Sequence, residues 1–247
     1  MTTLDEIVSL LDGTLRVAEV KDAPVALNGL QVENDGTVHK VALAVDGSQR
    51  TLDAAVAAGA DLLVLHHGLY WCGLRPLTGW WKRKVETCLR ANLAVYSAHL
   101  PLDVHPALGN NARLAQALGL QEVQPELDYC LSGVFPGTVA ELRARYAEVT
   151  GSNVTGPMPT PNAPAGRVVI CSGGGGPEVY AVQKLGYTTF LTGEENHWAS
   201  YTAEDMGMNL FFAGHYATET FGVKALGELL AEKFGLPVVF LDNPTGM

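Results

Sequence analysis

Two stretches of this chain repeat each other without a gap, and no other feature restricts its fold as strongly. Lys40-Val-Ala-Leu-Ala-Val45 lies against Arg167-Val-Val-Ile-Cys-Ser172, and the register continues. Ala54 meets Ala181, Gly59 meets Gly186, Leu63-Val64 meets Phe190-Leu191, and Trp71 meets Trp198. A second match follows when the histidines of Asn92-Leu-Ala-Val-Tyr-Ser-Ala-His99 and Asn209-Leu-Phe-Phe-Ala-Gly-His215 are superposed. Asp103 then meets Glu219, and Leu118-Gly-Leu120 meets Phe234-Gly-Leu236.

Each copy reads as buried strand, glycine-containing turn, amphipathic helix closed by glycine, and a second buried strand. The expected fold is therefore α/β, with two similar β-α-β-α-β-α halves and mostly parallel strands joined by right-handed crossovers. Strands are expected near 40–46, 61–66 and 93–98, then near 167–172, 187–192 and 209–213. The first half, with an N-terminal helix, is expected to span 1–150 and the second 167–247, the two forming one structural unit. Gly151 to Gly166 is expected to be a surface loop between them. Residues 129–149 are expected to add a strand and a helix to the first half.

Hydrophobic residues make up 47% of the 247 positions and charged residues 17%, which fits a globular chain with a real core. The net charge of −10, with no dense Lys/Arg run, argues against nucleic acid as the main partner. No stretch approaches the roughly 18 apolar residues of a membrane span, and the start lacks a signal-peptide pattern, so the expected location is the cytoplasm. Cys72, Cys88, Cys130 and Cys171 are widely spaced with no C-x-x-C pair, and are expected to be reduced core or subsurface thiols.

The polar residues fall where an α/β sheet presents its ligands, just beyond the carboxyl ends of parallel strands. Leu62-Leu-Val-Leu65 runs into His66-His67-Gly68. Val95-Tyr-Ser-Ala98 runs into His99-Leu-Pro-Leu-Asp103, and Leu210-Phe-Phe-Ala213 into Gly214-His215-Tyr-Ala-Thr-Glu219. Three strand ends thus carry four of the seven histidines and two carboxylates. Imidazole and carboxylate donors suit Zn, Mn, Fe, Co or Ni, and the lack of cysteine disfavours a thiolate zinc site. A strand-end histidine alone is more often a hydrogen-bonded structural residue; the matched H-x3-D and H-x3-E in repeat-equivalent places outweigh that reading here. His39 and His105 lie outside the pattern, and His105, in a turn before proline, is expected to be exposed.

Asn28-Gly-Leu-Gln-Val32, His66-His67-Gly68, His99-Leu-Pro-Leu-Asp103, Thr192-Gly-Glu194 and Gly214-His215-Tyr-Ala-Thr-Glu219 together resemble the Nif-three-like (YbgI) family, whose members are also labelled GTP cyclohydrolase type-two homologues. The resemblance covers essentially the whole chain. It implies two divalent ions per chain and a ring-shaped homohexamer. It places the ligands on His66, His67, Asp103, His215 and Glu219, with Glu219 bridging, and leaves His99 to orient Asp103 or a water molecule. Longer family members carry an inserted middle domain for which this chain has no room.

Other residues have two readings. The Asp46-Gly-Ser48 turn and its repeat partner Gly173-Gly174-Gly175 face the same edge and could contact a substrate or phosphate, although the glycines also suit a plain tight turn. Glu194 and His197 stand where His66-His67 stand in the first half, and are the candidates for acid–base work; the alternative is a solvated helix start. Trp71, Trp80, Trp81 and Trp198 could stack a base at the mouth of the site, but core or interface packing is the commoner use. The Trp80-Trp81 segment is expected to expose apolar surface that an oligomer would cover. The leading expectation is a metal-dependent hydrolase on a small nucleotide-like or heterocyclic substrate. The alternative is a metal-binding or interaction protein without turnover.

Overall fold

Strong alternation of buried strands with amphipathic helices builds two five-stranded sheets, beside a small two-stranded one, in the computed structural model, which describes residues 2–247. Contacts divide the chain into one unit of 1–105 with 222–243 and another of 106–221 with 244–247.

The first unit opens with β1 (Thr2–Thr3), α1 (Leu4–Leu15), β2 (Gly29–Val32) and β3 (Thr37–Val38). The repeat proper follows as β4 (Val41–Asp46), α2 (Gln49–Ala57), β5 (Leu62–His67), α3 (Gly79–Ala91), β6 (Ala94–Ser97) and α4 (Leu100–Asp103). β4, β5 and β6 pair in parallel, and β2 closes one edge antiparallel to β6. Every residue of β5 is buried, as expected of a strand covered on both faces, where an uninterrupted apolar run replaces alternation. Ala42, Ala44, Leu63, Leu65 and Val95 pack under Leu52 and Ala55 of α2 and Trp81 and Cys88 of α3.

The second unit runs through α5 (Asn110–Leu118), β7 (Gln121–Glu126), β8 (Cys130–Thr138) and α6 (Val139–Thr150). It continues through β9 (Pro164–Cys171), α7 (Val179–Lys184), β10 (Thr189–Thr192), α8 (His197–Asp205), β11 (Asn209–Phe212) and α9 (His215–Thr218). The strand order is β11-β10-β9-β8-β7, with β9, β10 and β11 parallel and β8 antiparallel to β9. Strand residues alternate between the two faces. Val168, Ile170, Leu191 and Phe211 meet Leu114, Leu142 and Tyr146 on one side, while Val169, Cys171, Phe190 and Leu210 meet Val179, Val182 and Ala199 on the other.

The helix α10 (Thr220–Phe234) carries the chain back into the first unit, where β12 (Val238–Phe240) adds to β4 in parallel. Gly227 of α10 lies so close to Leu43 and Val238 that a Cβ would collide with both, so its lack of a side chain is a packing requirement.

The repeat and its parallel core are as the sequence implies, but the division differs from the expected one. Residues 129–149 supply β8 and α6 to the second sheet, not the first, because β8 pairs along β9. The stretch 151–166 is accordingly not a linker between halves. It lies within the second unit, where Val154 is buried and Thr155 bridges Phe212. Periodicity identifies a strand but says nothing about which sheet edge accepts it.

All four cysteines are free, with Cys88, Cys130 and Cys171 buried and Cys72 exposed. Trp81 is buried while Trp80 is exposed, so only half of that pair presents the apolar surface expected of it. Among the described residues no helix is long and apolar enough to cross a membrane.

Candidate metal centre

In the first unit, β5 ends in two histidines that its pleat would send to opposite faces, yet both rings come to the carboxyl edge. Their centroids are 4.6 Å apart. His66 is fully buried, and its Nδ1 is 2.9 Å from the Ala98 carbonyl oxygen. A carbonyl can only accept, so Nδ1 carries a proton, and in the neutral ring Nε2 keeps its lone pair. That lone pair faces Asp103 Oδ2 at 3.4 Å. Two electron-rich atoms at this separation repel unless a proton or cation lies between them, and the spacing suits two ligands each about 2.0–2.2 Å from one ion.

The same device recurs. His67 Nδ1 lies 2.8 Å from Asp46 Oδ1, and His99 Nδ1 lies 2.9 Å from Asp22 Oδ1. Each carboxylate accepts the Nδ1 proton and turns Nε2 outward, the arrangement that orients a metal-binding imidazole and raises its basicity. Burial raises the Asp22 carboxyl pKa, but hydrogen bonds from His99 and Asn28 outweigh it and hold the group down at about 2, so Asp22 is a full anion at neutral pH. One ligand atom from each of His66, His67 and His99 lies within 4.8 Å of the others, so this group could hold a metal ion.

A buttress that spacing alone does not reveal supports these rings. Asn28 Oδ1 accepts the His99 backbone N–H at 2.7 Å, and Asn28 Nδ2 donates to Asp22 at 2.9 Å. Asp22 also accepts the Leu100 N–H at 2.9 Å. Gln31 Oε1 accepts the Leu69 N–H at 2.8 Å, pinning the turn after His66-His67, and a Cβ on Gly68 would strike the Gln31 amide. Asp22 escaped sequence reasoning because it sits in an irregular loop far along the chain from His99. The only available signal was the Asn28–Val32 motif beside it.

The second unit carries its own set. The four-residue helix α9 places His215 and Glu219 one turn apart, with His215 Nε2 3.1 Å from Glu219 Oε1. His215 Nδ1 is 2.7 Å from Glu194 Oε2. Burial lowers the His215 pKa, but the hydrogen bonds with Glu219 and Glu194 prevail and raise it to about 9. Glu219 is buried, and Gly173 lies so close that any side chain there would run into its carboxylate.

The remaining expected residues have structural placements. Glu194 orients His215, while His197 is exposed at the start of α8 with its ring against Tyr201. Glu195 is exposed beside the α8 cap, Asn196. Asp46 holds His67. Ser48 caps α2, its hydroxyl accepting the Thr51 N–H at 3.1 Å. The expected phosphate cradle fails at two of its three glycines. Gly173 N–H donates to Thr218 Oγ1 and Gly175 N–H to Thr192 Oγ1, each at 3.0 Å, so both donors are committed. His105 is half-buried rather than exposed.

The profile of the Duf34/NIF3 (NGG1p interacting factor 3) family matches residues 2–246. A protein of Archaeoglobus fulgidus named GTP cyclohydrolase 1 type 2 homolog is 40% identical over 247 residues, covering 99% of each chain. A Deinococcus radiodurans protein of the same name is 38% identical over 251 residues, covering 98% of this chain and 94% of its own. The solved structure of the ybgI protein, described as of unknown function, superposes with a TM-score of 0.90 at 35% identity and full coverage of both chains. With a profile match over nearly every residue and relatives at this identity, the chain belongs to the DUF34/NIF3 family.

Proposed function

We propose that this chain is a dinuclear divalent-metal protein that hydrolyses a small nucleotide-like or heterocyclic substrate. The observation that carries the reading is the shared state of His66, His67, His99 and His215. Each has Nδ1 bonded to a carbonyl or carboxylate, which leaves Nε2 as the atom that would meet a metal ion, on His215 after loss of its Nε2 proton. His66, His67, Asp103, His215 and Glu219 would be the ligands of two ions, with Glu219 bridging. Their nitrogen and oxygen donors fit Zn, Mn, Fe, Co or Ni.

Bound there, the ions would supply Lewis acidity and a hydroxide-like water at neutral pH. Asp46, Asp22 and Glu194 hold the imidazoles in one tautomer, so no reorientation is needed when charge develops. Glu194 and His197 are the groups available for proton transfer. The curated relatives' name, GTP cyclohydrolase 1 type 2 homolog, supports a nucleotide-like substrate. The reading carries with it a homohexamer and a cytoplasmic location.

One observation favours a metal-binding protein without turnover. Glu194, one of the two groups named for proton transfer, is already hydrogen-bonded to His215 Nδ1, which makes it the support of a ligand. Steady-state assays of metal-loaded protein on nucleotides, pterin precursors and phosphoesters separate the two. Chelator-sensitive turnover is the expected result. Its absence across the panel would transfer the assignment to the non-catalytic reading.

A further inference from the structure

We propose that Trp71 is the platform on which a planar nitrogen heterocycle stacks beside the metal centre, an inference that rests on the metal-dependent reading above. Its ring centroid is 4.7 Å from that of His67 and 4.4 Å from that of His99. The indole therefore touches two of the imidazoles whose Nε2 atoms are turned outward as donors. It is also 36% exposed, so part of its surface stays open to solvent directly beside the donor set.

The repeat supplies an internal control. Trp198 occupies the equivalent place in the second half, and there the ordinary structural use prevails. It stacks on Tyr180 with centroids 5.7 Å apart and planes inclined by 17°, and it packs against the core under α7 and α8. Among the described residues, the rings against Trp71 are those of His67 and His99. It is presented on a single 3-10 turn, Leu69–Cys72, that Gln31 pins through the Leu69 N–H, with Gly68 required to admit the Gln31 amide. A turn held this firmly fixes the indole at the site rather than letting it fold into the core. An indole presents a flat, polarisable face with little entropy to lose, and base–aromatic stacking accepts any planar heterocycle. A substrate lying on it would have its polar edge or phosphate within reach of the ions.

The test uses full-length protein loaded with Mn²⁺, guanosine 5′-monophosphate as the heterocyclic probe, and ribose 5-phosphate as the same anion without a base. Calorimetric titration should show Trp71→Ala weakening the nucleotide by about 10- to 100-fold, with Trp71→Phe close to the parent and ribose 5-phosphate unchanged by either. The nucleotide should also quench tryptophan emission in the parent but not in Trp71→Phe, a readout that serves if the alanine variant does not fold. Equal nucleotide binding by parent and Trp71→Ala would overturn the proposal. So would a parent that does not bind the nucleotide, an equal loss of ribose 5-phosphate, a loss of Mn²⁺ from Trp71→Ala, or a changed oligomer mass. The last of these would mean that a second copy of the chain covers the indole. Stacking without turnover would sink the hydrolase reading and leave the platform standing; turnover that ignores Trp71→Ala would do the reverse.

Discussion

The two halves of the repeat put polar groups at the same strand ends but assign them different chemistry. At the end of β5 the first half carries His66-His67, where the second half, just past β10, carries Gly193-Glu194. After β6 it carries His99 and Asp103, matched after β11 by His215 and Glu219. In the first half three imidazoles are each steadied from outside, by Ala98, Asp46 and Asp22. In the second a single imidazole is steadied by Glu194, the residue that replaces His67. One strand-end position has thus passed from donor to the support of a donor. The reciprocal change is visible too. Asp46, the support in the first half, is replaced by Gly173, where a side chain would displace Glu219. A duplicated scaffold conserves where groups can stand; which of them bind and which orient is decided by local packing.

The sharpest way to break this comparison is at the carboxylates that follow the last strands. Glu219→Gln is expected to lose both ions, because a bridging carboxylate neutralises two cations, whereas His66→Ala should lose mainly one. Elemental analysis of both variants purified without chelator checks this, and retention of one ion by Glu219→Gln would contradict bridging. The fold should survive each change, since apolar burial sustains a chain of this length.

The supports come next in size. Asp46→Asn and Glu194→Gln are expected to weaken metal binding about 10- to 100-fold, the usual effect of removing a hydrogen-bonded partner of a ligand. Competition with a chelator of known affinity measures both. If Glu194→Gln left metal affinity unchanged while abolishing turnover, Glu194 would be a proton-transfer residue and the symmetry between it and Asp46 would fail.

The protonation of His215 sharpens the contrast further. Its pKa in the metal-free protein is raised to about 9, above its ordinary value near 6.5. A raised pKa in the folded state stabilises the fold fully below about pH 6.5, and that contribution disappears as pH climbs through about 9. Chelated protein should therefore lose melting temperature across that window, and Glu194→Gln should flatten the loss. Metal binding below about pH 9 must also displace this proton, so loading at neutral pH should release acid into weakly buffered solution. A melting temperature that rises across the window would reverse the assigned sign.

The smallest expected effect concerns Ser48. As the cap of α2, its replacement by alanine should cost about 1 kcal/mol of stability and leave metal content untouched. A selective loss of substrate affinity at unchanged stability would restore it to the site.

The repeat, the parallel core strands and the placing of six His and carboxylate residues at strand ends were legible in the residues alone. Each depends on patterns that act locally or recur along the chain: continuous apolar runs for doubly covered strands, glycine at helix ends, and polar side chains just past a strand. Three-dimensional closure decided the rest. β8 and α6 joined the second sheet because β9 offered β8 an open edge, which no periodicity records. Asp22 met His99 across a long loop, Glu194 turned to His215 instead of standing free, and the N–H groups of Gly173 and Gly175 found threonine hydroxyls. Hydrogen-bond partners distant in sequence are chosen by packing, because a buried polar group must be satisfied by whichever neighbour the fold delivers. The chain's own pattern therefore determined which residues stand at the sheet edge, and only the tertiary structure determined which nitrogen of each histidine a hydrogen bond holds.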